Sequence, residues 1–211
     1  MKSIISNAAV VVFTLLSFQL MAQPKAVEKS SQYKAEKKLF LEVHQLAGGK
    51  IKYEDAEKAH ARDIVVANNF GVEFMKYWVN EDEGMIFSLA TAPDKKSLEM
   101  THNASHGYFP EHIYEVASGA ENVMKQTKNL YMDVHYLGAG NVTKEAVAGA
   151  HQKDLAIQDK YKADFMSYWV DEKAGTVMCL VQAKDSTTLV AAHKEAHGLI
   201  PSRVVSVKQG K

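Results

Sequence analysis

Eight of the nine histidines in this chain fall into two sets with one spacing: His44, His60, His102 and His106, then His135, His151, His193 and His197. His102-Asn-Ala-Ser-His106-Gly107 returns as His193-Lys-Glu-Ala-His197-Gly198. Histidines at i and i+4 share one face of a helix, about 5–6 Å apart at Cβ, and a glycine just beyond is the usual residue to end that helix. Imidazole is the commonest transition-metal ligand near neutral pH, and several with a carboxylate suit nickel, zinc or copper(II) rather than magnesium or calcium. The carboxylates are Asp63 and Asp154, which recur three residues after His60 and His151. Each fits either as a ligand or as the group that orients a histidine by accepting its other N–H. A histidine taken alone is more often a capping or hydrogen-bonded core residue than a ligand. The doubled i, i+4 pair carries the metal reading.

The elements that must position these residues are themselves doubled. Residues 39–116 align with 130–207 at a constant offset of 91, and 25 of the 78 positions are identical, so the chain is a tandem duplication of one small domain. In the first copy Leu39, Leu41 and Val43 alternate with Phe40, Glu42 and His44, which predicts a strand. Tyr53 to about Asn69 reads as a helix, and in the second copy Thr143 is placed to cap its counterpart. Phe74–Val79 and Met85–Thr91 predict a hairpin, Asp94 caps a second helix running to His106, and Ile113–Val116 is a short last strand. This β-α-β-β-α-β order is the ferredoxin-like pattern, two helices on one face of a four-stranded antiparallel sheet. Its other face, to which Phe40, Phe74 and Trp78 are assigned, needs a cover. The fold class is therefore α+β: two tandem ferredoxin-like (βαββαβ) domains packed sheet to sheet as a pseudo-dimeric α+β barrel.

In that topology the end of the first strand, the early half of the first helix and the last turns of the second helix meet at one edge. All four imidazoles of each copy are expected to converge there. Glu42 and Asp133, facing the same way as the neighbouring histidine, fit equally as partners of it or as solvated edge residues. Phe74-Met-Lys-Tyr-Trp-Val79 and its copy read as core strand, with Tyr77 or Trp78 as possible pocket residues. His112 is replaced by Arg203 in the second copy.

Composition excludes rather than identifies. Lys+Arg and Asp+Glu balance at 25 each, which gives no reason to expect nucleic acid or an anionic membrane as partner. Lys2, the apolar run from Ala8 to Leu20 and Met21-Ala22-Gln23 read as a secretory signal peptide over 1–22, so the expected location is periplasmic or secreted, with no membrane association after cleavage. Residues 23–38 read as a polar tether and 117–129 as the linker between repeat 1 (39–116) and repeat 2 (130–207). The single cysteine, Cys179, cannot form an internal disulfide and reads as a small buried hydrophobe.

Taken together, the strand histidine, Ala59-His-Ala-Arg-Asp63 with Ala150-His-Gln-Lys-Asp154, the Tyr-Trp-Val before each hairpin, and His-x-x-x-His-Gly resemble the small ferredoxin-like domains of a nickel-binding family formerly of unknown function. The resemblance covers both repeats, and the second is the closer match. It implies the same fold and pairing, here as an internal pseudo-dimer and hence a monomer, and it implies nickel for the histidine sets. The metal residues expected are His44, His60, Asp63, His102 and His106, and His135, His151, Asp154, His193 and His197. No nucleophile elbow or phosphate loop is present, which favours a non-catalytic metal-binding protein over the alternative, an enzyme or haem-handling protein using a cavity inside the barrel.

Overall fold

The computed structural model describes residues 36–120 and 129–210. The signal-peptide reading and most of the tether lie outside the described residues. Repeat 1 forms β1 (Lys38–Gln45), α1 (Tyr53–Ala67), β2 (Glu73–Asn80), β3 (Met85–Ala92), α2 (Lys95–Ser105) and β4 (His112–Glu115). Ala117–Gly119, inside the segment read as linker, forms a short strand, β5. Repeat 2 forms β6 (Asn129–Tyr136), α3 (Lys144–Tyr161), β7 (Asp164–Asp171), β8 (Thr176–Ala183), α4 (Ser186–Ala196) and β9 (Arg203–Gly210). The helix starts follow local chemistry: Asp94 and Asp185 each accept the backbone N–H three residues on at 2.8 Å, and Thr143 does the same for Ala146 at 3.2 Å.

The strands order as β4-β1-β3-β2-β9-β6-β8-β7-β5, with every paired neighbour antiparallel. Since β4 and β5 are separated only by Val116, the two ends of that order are one stretch of chain, and the sheet closes into a barrel. The closure is symmetric. β4 pairs with β1 of its own repeat and β5 with β7 of the other, while β9 pairs with β6 through residues 203–207 and with β2 through 208–210. Each repeat thus ends by seaming itself to its twin.

Inside the barrel, Leu41, Val43, Trp78, Phe87 and Leu89 of repeat 1 meet Met132, Val134, Trp169, Met178 and Leu180 of repeat 2, with the Trp78 and Trp169 rings 5.2 Å apart. The interior is filled by side chains. The expectation that Phe40 and Phe74 join Trp78 on this face is corrected: both pack under the helices with Leu98 and Val72. A β-bulge between Phe74 and Lys76 inserts one residue and reverses the alternation, so Phe74 and Trp78, four apart, face opposite sides; the same bulge recurs between Phe165 and Ser167.

The seams require glycine. A Cβ on Gly210 would stand 2.0 Å from the ring of Tyr77, and one on Gly119 would stand 2.0 Å from that of Tyr168. Gly210→Ala is expected to cost about 1–3 kcal/mol of stability by overpacking, measured by urea unfolding; an unchanged midpoint would show that the tyrosine moves aside freely.

Candidate metal centre

The last turn of α2 brings His102 inward and His106 beside it. Gly107, at φ +75°, closes the helix by donating to the His102 carbonyl at 2.7 Å, and Gly198, at φ +82°, closes α4 on His193 at 3.1 Å. Across from them α1 presents Asp63 and α3 presents Asp154, while β1 supplies Glu42 and His44 and β6 supplies Asp133 and His135. In repeat 1 the ring of His102 is held at both nitrogens, Nδ1 3.2 Å from Asp63 Oδ1 and Nε2 3.1 Å from Glu42 Oε1. His106 Nε2 lies 3.2 Å from Asp63 Oδ2, and Ser105 donates to the same carboxylate. In repeat 2 His193 Nδ1 lies 3.0 Å from Asp154 Oδ1 and 3.0 Å from His197 Nε2, which is itself 3.2 Å from Asp154 Oδ1. His193 Nε2 points to Asp133 Oδ2 at 3.2 Å, and His135 Nε2 approaches Asp133 Oδ1 at 3.2 Å.

Hydrogen-bond partners assign the protons. A ring with a carboxylate at each nitrogen is a double donor, so His102 is an imidazolium; burial works against its charge, yet the bonds to Asp63 and Glu42 overcome it and raise its pKa to about 10. His193 is raised to about 10 against the same burial by Asp133 and Asp154. Burial would raise Asp63, but the bonds from His102, His106 and Ser105 hold it well below the usual carboxylate range. Burial likewise opposes Asp133, yet it sits between two histidines and falls to about 2. Complete burial raises the pKa of Glu42, and the bond and charge of His102 offset only part of that rise. Burial, reinforced by the charge on His102, depresses His44 to about 3, so that ring is neutral with a lone pair available. The backbone N–H groups of Tyr108 and Leu199 donate to Nδ1 of His106 and His197, which leaves the Nε2 atoms facing the aspartates.

These shifts set an alkaline limit on stability. The folded-state pKa values of His102 and His193 lie above the unfolded value of about 6.5, so their contribution is complete below that pH and is lost as pH climbs toward 10. Chemical denaturation of metal-free protein between pH 7 and 10 is expected to show falling stability, with a shallower fall in His102→Gln/His193→Gln. Equal slopes would mean that the rings are neutral.

The ten residues expected from the sequence line two cavities, one in each repeat. Within them the potential ligand atoms group as Glu42, His44 and His102; Asp63, His102 and His106; and the same sets in repeat 2, each within 4.8 Å of one another. His60 and His151 stand apart. The His60 ring lies 4.6 Å from that of Tyr77, His151 lies 5.0 Å from Tyr168, and His151 Nε2 is buried without a hydrogen-bond partner. Burial lowers the pKa of both. Glu42 and Asp133, left undecided by the sequence, are wholly buried against the central histidines. Their side-of-strand match to His44 and His135 was the available signal.

The donor set fits a first-row transition ion. Donor atoms about 2.1 Å from an ion and at right angles stand about 3 Å apart, and His193 Nδ1, His197 Nε2 and Asp154 Oδ1 stand 3.0, 3.0 and 3.2 Å from one another. Two aromatic nitrogens and a carboxylate, buried together, are a borderline-hard set.

Several solved structures are similar to parts or most of the chain. The crystal structure of SCO4226 from Streptomyces coelicolor A3(2) aligns at 27% identity over 39% of this chain and 99% of that one, with a TM-score of 0.37. A monooxygenase-like protein from Lactobacillus acidophilus NCFM aligns at 6% identity over 82% of this chain and 94% of its own (TM-score 0.45), and a chlorite dismutase mutant from Candidatus Nitrospira defluvii at 8% over 82% and 91% (TM-score 0.45). No curated protein matches the sequence. The family described as nickel responsive protein SCO4226-like matches residues 40–116 and again 131–207. With both repeats matched and a histidine–carboxylate cluster in each, the chain belongs to the SCO4226-like nickel responsive family.

Proposed function

We propose that this protein is an exported, non-catalytic nickel-binding protein with one site per repeat. The observation that carries the reading is the triangle of donors His193 Nδ1, His197 Nε2 and Asp154 Oδ1, echoed around Asp63 in repeat 1. The ion would be held by His102, His106 and Asp63, and by His193, His197 and Asp154; its chemistry there is charge neutralisation of a buried carboxylate. Glu42 and Asp133 accept the Nε2–H of His102 and His193 and so orient Nδ1 toward the ion, a carboxylate–histidine–metal relay. Binding requires His102 and His193 to give up the Nδ1 proton. For His106 Nε2 to offer a lone pair, the proton of that ring would have to sit on Nδ1, the nitrogen that now accepts from the Tyr108 amide. The apolar side chains that both repeats pack into the barrel interior support a binding role over the alternative of an enzyme using a cavity there.

Calorimetric titration of metal-stripped protein with Ni²⁺ is expected to give a stoichiometry near two, falling to one in His197→Ala. Absence of saturable binding would end the proposal. Export is tested separately by the mass of the mature protein recovered outside the cytoplasm, expected to begin near Gln23.

A further inference from the structure

The two sites share their histidines but not their surroundings. The cavity against the cluster of repeat 1 holds about 550 Å³, and its counterpart in repeat 2 holds about 130 Å³. The smaller has room for a few waters at about 30 Å³ each, whereas the larger lies in the range of small-molecule sites, about 300–1,000 Å³. Particular substitutions accompany the difference. Ala56 of repeat 1 is Val147 in repeat 2, Ser88 is Cys179, and at the mouth Lys50 is Asn141. The wall of the large cavity is mostly apolar, through Ile51, Ala59 and Ile86, and the His60 and Tyr77 rings give it an aromatic side. Two exposed cations also line it, Lys50 and Arg62, the latter donating Nε–H to the Lys58 carbonyl at 3.3 Å, and one carboxylate, Asp55, which accepts the Lys52 backbone N–H at 3.2 Å. His44 and the cluster form the floor.

We propose that repeat 1 completes the coordination of its ion with a small organic carboxylate seated in this cavity, while repeat 2 holds its ion with protein groups alone. The inference rests on the metal reading above. The ligand class follows from the lining: an anionic group drawn by Lys50, Arg62 and the ion, a flat or apolar body against Ile86 and Tyr77, and a second donor atom beside the carboxylate so that it can chelate. In repeat 2 the Val147 methyls narrow the same space.

Pyridine-2-carboxylate is a suitable probe, and pyridine-4-carboxylate has the same size and charge but cannot chelate. Each is titrated into nickel-loaded His197→Ala, which keeps the donors of repeat 1, and into nickel-loaded His106→Ala, which keeps those of repeat 2; native mass spectrometry counts protein, nickel and probe. The expected result is a 1:1:1 complex with pyridine-2-carboxylate in His197→Ala only, weakened at least tenfold by adding Ala56→Val, with each variant read against its own nickel titration. Removal of nickel without a ternary complex, ternary complexes of equal strength in the two repeats, no effect of Ala56→Val, or equal binding of pyridine-4-carboxylate would overturn the inference and leave the metal reading standing. Failure of both variants to take up nickel would defeat both.

Discussion

Replacing His102 by alanine is expected to destabilise the metal-free protein by about 3–5 kcal/mol, the usual cost of removing one partner from a buried charge pair. The ring is 1% exposed and stands between Glu42 and Asp63, of which Glu42 is wholly buried. Without it two carboxylates face each other with no cation between them, and Glu42, whose Oε2 already lacks a partner, loses its other contact. His193→Ala should do the same to Asp133 and Asp154. The control is His112→Ala, on the exposed start of β4 and outside either cluster, which should change stability by less than about 0.5 kcal/mol. Urea unfolding of the three variants decides it: a loss below about 1 kcal/mol in His102→Ala would show that water or a proton replaces the imidazolium cheaply.

The second large effect comes from loading the sites. A ligand at a hundred times its dissociation constant adds about 2.7 kcal/mol to the folded state. For a chain of this size each kcal/mol moves the melting temperature by about 2–4 °C, so Ni²⁺ should raise it by about 5–10 °C per occupied site. The ligands of each site tie two helices together, and Glu42 or Asp133 links the central histidine to the first strand, so the gain is spread over three elements rather than one loop. Magnesium at the same concentration should give no such rise, because nitrogen donors do not compete for it. A rise that persists undiminished when all eight paired histidines are replaced would place the metal on carboxylates elsewhere.

Much of this was legible in the sequence because the duplication supplied its own comparison. The spacing located both helix-two pairs, and the alternation put Phe40, Glu42 and His44 on one face of the strand, but that face was assigned to the barrel interior through Phe40, whereas it lies under the helices. What escaped was set by pairing between strands. The bulge after Phe74 depends on the register of β2 against β3, and no residue type announces it. Glu42 escaped for a related reason: a carboxylate on a strand face looks the same whether a helix covers it or water does. The strand Ala117–Gly119 escaped too, since its partner β7 lies in the other repeat. His60 and His151, set apart from the tighter groups, lie with their rings tilted against Tyr77 and Tyr168, contacts that only the closed fold supplies.

The crossed seams also set a schedule for biosynthesis. The Trp78 indole N–H is satisfied by Gln209 Oε1 at 2.9 Å, 131 residues further along the chain. When repeat 1 leaves the ribosome, β2 is an open edge and the face bearing Trp78, Phe87 and Leu89 has no cover, so half of the barrel must wait for the other half to be translated. Such long-range closure slows folding and leaves an apolar sheet exposed in the meantime, the condition under which nascent chains recruit chaperones or pair with one another. Two nascent copies waiting in that state offer each other the very edge that each will later receive from its own β9, which makes strand-exchanged dimers the characteristic misassembly of this architecture.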